Sequence, residues 1–472
     1  MTSSIQYIST RGQDAPISFA DALLAGLARD GGLYLPTVWP QFAAGELESM
    51  AGMPYAEISA RIMAKFTGDD ISFDELLVMT RNAYATFSAE DVTPLTRVND
   101  QVHLCELYHG PTIAFKDVAM QVLSRLFDHQ LEKRGTKAVI LGATSGDTGS
   151  AALEAFRDRN MVDIFILYPD GRVSPVQEQQ MTSVIANGAY AVAVGGDFDD
   201  CQAIVKSLFG DLGFRDQVGL SAINSINWAR LMPQIVYYVT SALALGGLER
   251  PLTFAVPTGN FGNIFAGYAA MKMGLPVKRF ICASNRNDIL TRFFDTGTME
   301  RRMVEPSLSP SMDIQVSSNF ERLMFELLGR DGDQTRDIMN RFNQTGEFSL
   351  TRDMMSNDID LFTGFRCDAA ATLDEIGQTW RNDGIMVDPH SAIGLAAARA
   401  AARAAAATSD DDHIVALACA HPAKFPDAVE KATGIRPELP PHLADLMERP
   451  HQRMTIAATS DAVADLITEH KR

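Results

Sequence analysis

The sequence predicts an α/β protein: two three-layer lobes on mostly parallel sheets, joined to a mainly helical N-terminal region. Three observations carry that expectation. Apolar β runs alternate with helical stretches from about residue 100 onward, the residues before that show helical spacing instead, and two strand–loop–helix units carry glycine-rich turns. A chain of 472 residues also exceeds what one hydrophobic core usually organises. The expected divisions are 1–95, a helical subdomain, then 96–240 and 241–472, two α/β lobes interleaved in sequence.

Taken in order, "ISFADALLAGLARDGGLYLP" spaces its apolar residues as a helix does, stops at Gly-Gly and ends in a short extended "LYLP". "KAVILGAT" at 137–144, a helix near 149–159 and "VDIFILYP" at 162–169 form a βαβ unit, which implies parallel strands with helices on both faces. "AYAVAVGG" at 189–196, the amphipathic "DFDDCQAIVKSLFGDLGF", "LTFAVPTGNFGN" with its helix "IFAGYAAMKMG", "VKRFICAS" and "HIVALACA" at 413–420 continue the series. Residues 300–365 alternate weakly and are expected to be helices and loops inserted between sheet elements, with no chemistry assigned. "AIGLAAARAAARAAAATSDDD" is Ala-rich, the best helix-forming composition, and is expected to be a plain helix ending at "TSDDD".

Hydrophobic residues at 46% and charged residues at 21% suit a folded, water-soluble protein. A formal net charge of −18 argues against nucleic acid or an anionic membrane as main partner, so an anionic substrate needs a locally positive pocket. The five cysteines are scattered and form no C-x-x-C pair, which predicts neither a disulfide framework nor a metal site and fits a reducing compartment. The N-terminus has no apolar signal region, and no run of about 18 apolar residues follows, so a cytoplasmic location is expected.

Chemistry concentrates in four stretches. In "VILGATSGDTGSAALEAF", Thr144, Ser145, Asp147 and Thr148 sit with two glycines at a helix start, where exposed N–H groups and hydroxyls suit an anion. The loop lacks the lysine of a nucleotide phosphate loop, and an ordinary capped turn would read the same way. In "FAVPTGNFGNIF", Gly259, Asn260, Phe261, Gly262 and Asn263 form a second cradle that is not the dinucleotide fingerprint. "SAINSINWARLMPQ" offers Ser225, Asn227 and Arg230 as hydroxyl, amide and guanidinium donors, although an arginine more often pairs with a carboxylate. In "HGPTIAFKDVAMQ", Lys116 stands at the start of an apolar helix, where the helix dipole and desolvation would lower its pKa and make it nucleophilic. A solvated lysine paired with Asp117 is the plain alternative. A nucleophilic lysine with two anion cradles is the combination that pyridoxal phosphate requires.

These segments resemble the threonine synthase family across nearly the whole chain. "YISTRG…FADALLAGLARDGGLYLP", "HGPTIAFKD", "ATSGDTG", "PTGNFGN" and "AHPAKF" occur in the family's order, in the longer variety found in bacteria and fungi, with weakest coverage at about 300–365. The resemblance implies the tryptophan synthase β-like fold (pyridoxal phosphate fold type II). It makes Lys116 the cofactor-bearing lysine and Gly259, Asn260, Phe261, Gly262 and Asn263 the holders of the cofactor phosphate. Thr144, Ser145, Asp147 and Thr148 would line the substrate side near its α-carboxylate, and Ser225, Asn227 and Arg230 would meet the substrate phosphate. Cys419 stands where the family pattern has Thr, facing the pyridine nitrogen; a thiol bonds more weakly than a hydroxyl, and neither holds the nitrogen protonated.

The implied reaction is O-phospho-L-homoserine plus water to L-threonine plus phosphate, the last step of threonine biosynthesis. Lys116 would act in turn as nucleophile, base and acid. His109 is a candidate for moving a proton or contacting the leaving phosphate, with a turn-packing histidine as the equal alternative, and His390 is expected to be a satisfied histidine at a helix start. The expected partner is the small substrate alone, with the chain a monomer or weak homodimer. The rivals are a dehydratase or sulfhydrylase on this fold, which need no substrate-phosphate site, and an inactive relative acting as a ligand sensor or phosphatase-like protein.

Overall fold

Two parallel sheets organise the described residues, 5–407 and 412–472 of the computed structural model. The larger sheet runs in the order Phe362–Arg366, Val277–Ser284, Leu252–Pro257, Ile414–Ala418, Val102–Glu106 and Leu95–Arg97, parallel except for the last pairing. The smaller runs Met454–Ile456, Ala189–Val194, Val162–Pro169, Ala138–Ala143 and Leu220–Ser221, parallel throughout. Strands such as Val162–Pro169, Leu252–Pro257 and Ile414–Ala418 are buried at every position. Continuous apolar runs of this kind are what helices on both faces of a sheet require.

The N-terminal region is mainly helical, with Phe19–Ala25, Tyr55–Thr67 and Phe73–Tyr84 beside a small antiparallel pair, Tyr7–Ser9 with Tyr34–Pro36. The expected βαβ unit is present, but its helix spans Asp147–Phe156, starting earlier than 149 because Gly146, at φ 137°, turns the chain at once. The Ala-rich helix is Pro389–Ala407 and lies on the strands Leu252–Pro257 and Ile414–Ala418. Its expected stop falls mostly on 408–411, outside the described residues. Asp412, just beyond, is buried and accepts from Thr253 Oγ1 at 2.9 Å and Arg279 Nη2 at 2.9 Å.

Two features of the layout are set by pairings distant in sequence. Residues 300–365 do contain helices, Phe320–Leu327 and Gly332–Thr345, yet the strand Phe362–Arg366 at their end forms an edge of the larger sheet. Its short, glycine-interrupted "FTGFR" gives no strand pattern. Sheet membership also crosses the expected boundaries: Leu95–Arg97 and Val102–Glu106 join the sheet of the C-terminal lobe, and Met454–Ile456 returns to the smaller sheet beside Ala189–Val194. That return is secured by Arg453 on Asp170 at 2.8 Å.

Candidate active site

Lys116 opens the helix Lys116–Arg134, and the backbone before it is stitched to the end of the strand Ile414–Ala418. Phe115 N–H donates to Cys419 O at 2.8 Å, His421 N–H to Ile113 O at 3.0 Å, and Ala114 bridges Ala420. Ligands of open parallel sheets sit at the carboxyl ends of strands, and this seam puts Lys116 there. Asp117 does not pair with it: that carboxyl turns back to accept from Thr112 N–H at 2.8 Å and Thr112 Oγ1 at 2.7 Å, and burial pushes its pKa up to about 6.

Lys116 is instead a buried amine, 8% exposed, in a cluster of charges. Its Nζ lies 3.2 Å from Asp147 Oδ2 and 3.4 Å from Ser311 Oγ. The other Asp147 oxygen takes Lys424 Nζ at 3.0 Å and Gln177 Nε2 at 2.8 Å. Lys424 is fully buried and also donates to Thr112 O at 2.9 Å. Burial lowers the Lys116 pKa, against the opposing pull of Asp147 and with help from Lys424 and Arg230. Burial pushes the Asp147 carboxyl up, but Lys116, Lys424 and His390 outweigh it and hold it well below the usual carboxylate range. An acid in this state is a fixed anion between two lysines, so at this lining position Asp147 accepts hydrogen bonds and does not donate them.

The loop between the strand Leu252–Pro257 and the helix Gly262–Lys272 is the second half of the site. Its carbonyls are bound from behind: Gly259 O takes Ser317 Oγ at 2.8 Å, and Asn260 O takes Asn319 N–H at 3.0 Å. Asn260 Oδ1 accepts from Ser318 Oγ at 3.3 Å. Phe261, at φ 61°, buries its ring against Phe294, Phe320 and Phe362, so it anchors the loop through the core. Asn263 Oδ1 receives the hydroxyls of Tyr237 at 2.6 Å and Tyr238 at 3.0 Å, which leaves its Nδ2 buried without a partner. A Cβ on Gly259 would sit 2.6 Å from Ser311 O, so that position admits no side chain without a backbone shift. We expect Gly259→Ala to weaken retention of the cofactor at least tenfold, read by dialysis of the loaded protein against cofactor-free buffer.

The remaining candidates divide. Arg230 is 3% exposed, donates Nη1 to Ile223 O at 3.1 Å, keeps a buried Nε without a partner, and has its pKa lowered to about 10 by burial. Thr144 Oγ1 accepts Gly146 N–H at 3.0 Å and Gly149 N–H at 2.9 Å, capping the turn, while Ser145 and Thr148 stay half-buried. Ser225 is half-buried and gives its carbonyl to Asn319 Nδ2 at 3.1 Å. Asn227 does not join the site: its Nδ2 donates to Leu23 O at 2.8 Å and its Oδ1 caps Ala229 N–H at 3.0 Å, tying the N-terminal region to the lobe. His109 pairs through Nε2 with Glu106 Oε2 at 2.7 Å and packs on Tyr108, the turn-packing arrangement. Cys419 donates its N–H to Ser391 Oγ at 2.9 Å, and burial pushes its thiol well above the ordinary range, so it stays neutral.

Four groups of the site had no role in the sequence reading. Lys424 lies in "AHPAKF", and its place just after an apolar strand was the available signal. Gln177 and Asp388 gave none, and Ser311 comes from the stretch to which no chemistry was assigned. His390 is not the satisfied histidine expected, since its buried Nε2 has no partner. A cleft of about 880 Å³ between the N-terminal segment and the smaller lobe holds none of these groups, so buried charge and not cleft size locates the site.

The residues fit pyridoxal phosphate. A desolvated amine supplies the attachment point, a neutral thiol lies across the seam from it, and the 259–263 loop presents a helix start and an unpartnered Asn263 amide to a phosphate.

Comparison with known proteins agrees. Residues 6–84 match the family "Threonine synthase N terminus", 87–340 match "Pyridoxal-phosphate dependent enzyme", and 391–467 match "Threonine synthase, C-terminal". The threonine synthase of Pseudomonas aeruginosa is 47% identical over 468 residues, covering 99% of this chain and 98% of its own. A threonine synthase from Brucella melitensis, solved with PLP bound, superposes with a TM-score of 0.95 at 49% identity, over 99% of this chain and 100% of that one. The yeast threonine synthase structure gives 0.91 at 36% identity, over 99% and 98%.

Proposed function

Since the chain belongs to the threonine synthase family, we propose that it converts O-phospho-L-homoserine and water into L-threonine and phosphate, as a carbon–oxygen lyase. It has the fold of pyridoxal-phosphate enzymes of type II, and pyridoxal phosphate is its cofactor. When bound, the cofactor supplies an electron-withdrawing ring that acidifies hydrogens near the substrate's amine-bearing carbon.

The protein's own groups then have separable tasks. Lys116 Nζ attaches the cofactor and, once released by the substrate amine, takes and returns the Cα proton. Its lowered pKa favours the free-base form that this work requires. Asp147 and Lys424 keep the surroundings of Nζ fixed and close to charge-neutral. The backbone of Gly259, Asn260, Phe261 and Gly262, with Asn263 Nδ2, holds the cofactor phosphate. The hydroxyl of Thr144 accepts two backbone bonds and so keeps its proton free to donate; with Ser145 and Thr148 it receives the α-carboxylate. Arg230 and Ser225 receive the substrate phosphate. Cys419 faces the ring nitrogen as a weak, neutral partner that leaves it unprotonated.

The observation that carries this reading is the buried Lys116 amine, set between Asp147 and the loop that presents Asn263. Phosphate release from O-phospho-L-homoserine with threonine formed in equal amount supports it. Ammonia release from threonine without phosphate chemistry overturns it in favour of a dehydratase. Arg230→Ala is expected to raise KM for the phosphorylated substrate tenfold or more, about the worth of one charge-assisted phosphate contact; an unchanged KM removes Arg230 from that role. We assign the activity to a monomer or weak homodimer in the cytoplasm; no helix among the described residues is long and apolar enough to cross a membrane.

A further inference from the structure

Among the buried side-chain atoms of the described residues that lack a hydrogen-bond partner are Asn263 Nδ2, Arg230 Nε and His390 Nε2. Buried polar atoms are rarely left unpaired, and an orphan in a ligand site marks a contact that the ligand completes. The first two belong to phosphate-holding residues. The third has no assigned work.

His390 is held as proton-transfer histidines are held. Its Nδ1 lies 2.6 Å from Asp388 Oδ2, an oxygen that also accepts His390 N–H at 2.9 Å. The other Asp388 oxygen takes Ser391 N–H at 3.0 Å and the Ser391 hydroxyl, and that hydroxyl accepts Cys419 N–H at 2.9 Å. Asp388 is completely buried, and the imidazole is one of its hydrogen-bond partners. A carboxylate so bound fixes the ring with Nδ1–H inward and Nε2 pointing away from it. The ring packs, tilted by 55° and with centroids 4.8 Å apart, on Phe425, next to Lys424, whose ammonium holds Asp147. Through Ser391, whose hydroxyl holds Cys419 N–H, and through Cys419 O, which takes Phe115 N–H, the pair is tied to the segment that carries Lys116, and His390 helps to hold the Asp147 carboxyl below its usual range.

Phosphate leaving and water entering each need a proton moved at an oxygen, while Lys116 Nζ is engaged with the substrate's carbon-bound hydrogens. We propose that His390, oriented by Asp388, is a second proton-transfer residue for the reaction proposed above, acting on these two oxygens. As the Cγ–O bond breaks, its electron pair goes to the phosphate oxygen, which takes the Nε2 proton and departs as hydrogen phosphate. As the water oxygen bonds Cβ, a water proton passes to the neutral Nε2 and restores the imidazolium. His390 ends the cycle as it began, with no outside acid or base consumed.

The test uses full-length, cofactor-loaded protein. His390→Gln is expected to lower kcat for phosphate release by about 100- to 10,000-fold, with KM and the visible cofactor band changed by less than about threefold. Added imidazole should restore turnover to His390→Ala by about tenfold or more and leave Lys116→Ala inactive. Asp388→Asn, which reverses the hydrogen bond that sets the tautomer, should reproduce the loss without imidazole rescue. Turnover of His390→Gln within about threefold of wild type overturns the proposal, as does a loss accompanied by cofactor release that imidazole does not repair. If the wild-type protein itself releases no phosphate from O-phospho-L-homoserine, the functional reading fails first, and the variants are not what refutes it.

Discussion

Lys116→Ala is expected to lose covalent cofactor attachment and to slow threonine formation by several orders of magnitude, because one amine has more than one task. The protein should still fold. Asp147 keeps Lys424 at 3.0 Å and Gln177 at 2.8 Å, so removing Lys116 does not leave a bare buried anion. Dialysis followed by a visible spectrum reads the attachment, and phosphate release reads the turnover. Near-normal turnover in this variant would sink the mechanism, and misfolding would show that the charge cluster depends on Lys116 for more than chemistry.

Lys424→Met is expected to cost stability first. Lys424 is fully buried, and without it Lys116 is the one lysine left on Asp147, an amine whose charged form burial disfavours. Breaking one partner from a buried charge set costs about 3–5 kcal/mol, so the urea midpoint should fall clearly. Acid sensitivity should change in a defined direction. The Asp147 carboxyl is held below the usual carboxylate range, so its contribution is fully present above the ordinary value and is lost as pH falls through the depressed one. Removing Lys424 raises that depressed value, so the contribution shrinks and its loss should be complete at a higher pH. Urea titrations at several pH values check both parts; an unchanged midpoint would mean that the pair is not a structural bond.

Much of this was legible in the sequence, for reasons that differ by residue. "VDIFILYP", "LTFAVP" and "HIVALA" announce buried parallel strands because both faces are covered and every position must be apolar. Lys116 and the 259–263 loop were legible as motifs because they lie between a strand or turn and a helix start. Roles set by distant partners were not legible. Asn227 looked like a ligand donor, yet its amide serves Leu23, at a separation of 204 positions. The two lysines that hold Asp147 come from other segments, and Ser311 reaches Lys116 across 195 positions from a stretch with no pattern. His390 looked satisfied because a sequence shows that a histidine follows an aspartate, and not that its second nitrogen is left open.

The seam that fixes Lys116 also sets a timetable for biosynthesis. Ile113, Ala114 and Phe115 are tied to Cys419, Ala420 and His421, and the strand Val102–Glu106 enters its sheet only by pairing with Ile414–Ala418. On a ribosome, the lysine proposed to carry the cofactor emerges early and then waits for a strand made some three hundred residues later, the hydrogen bond from Lys424 to Thr112 O alone spanning 312 positions. Assembly of the surroundings of Lys116 is therefore expected to be a late event, reached only by nearly finished chains.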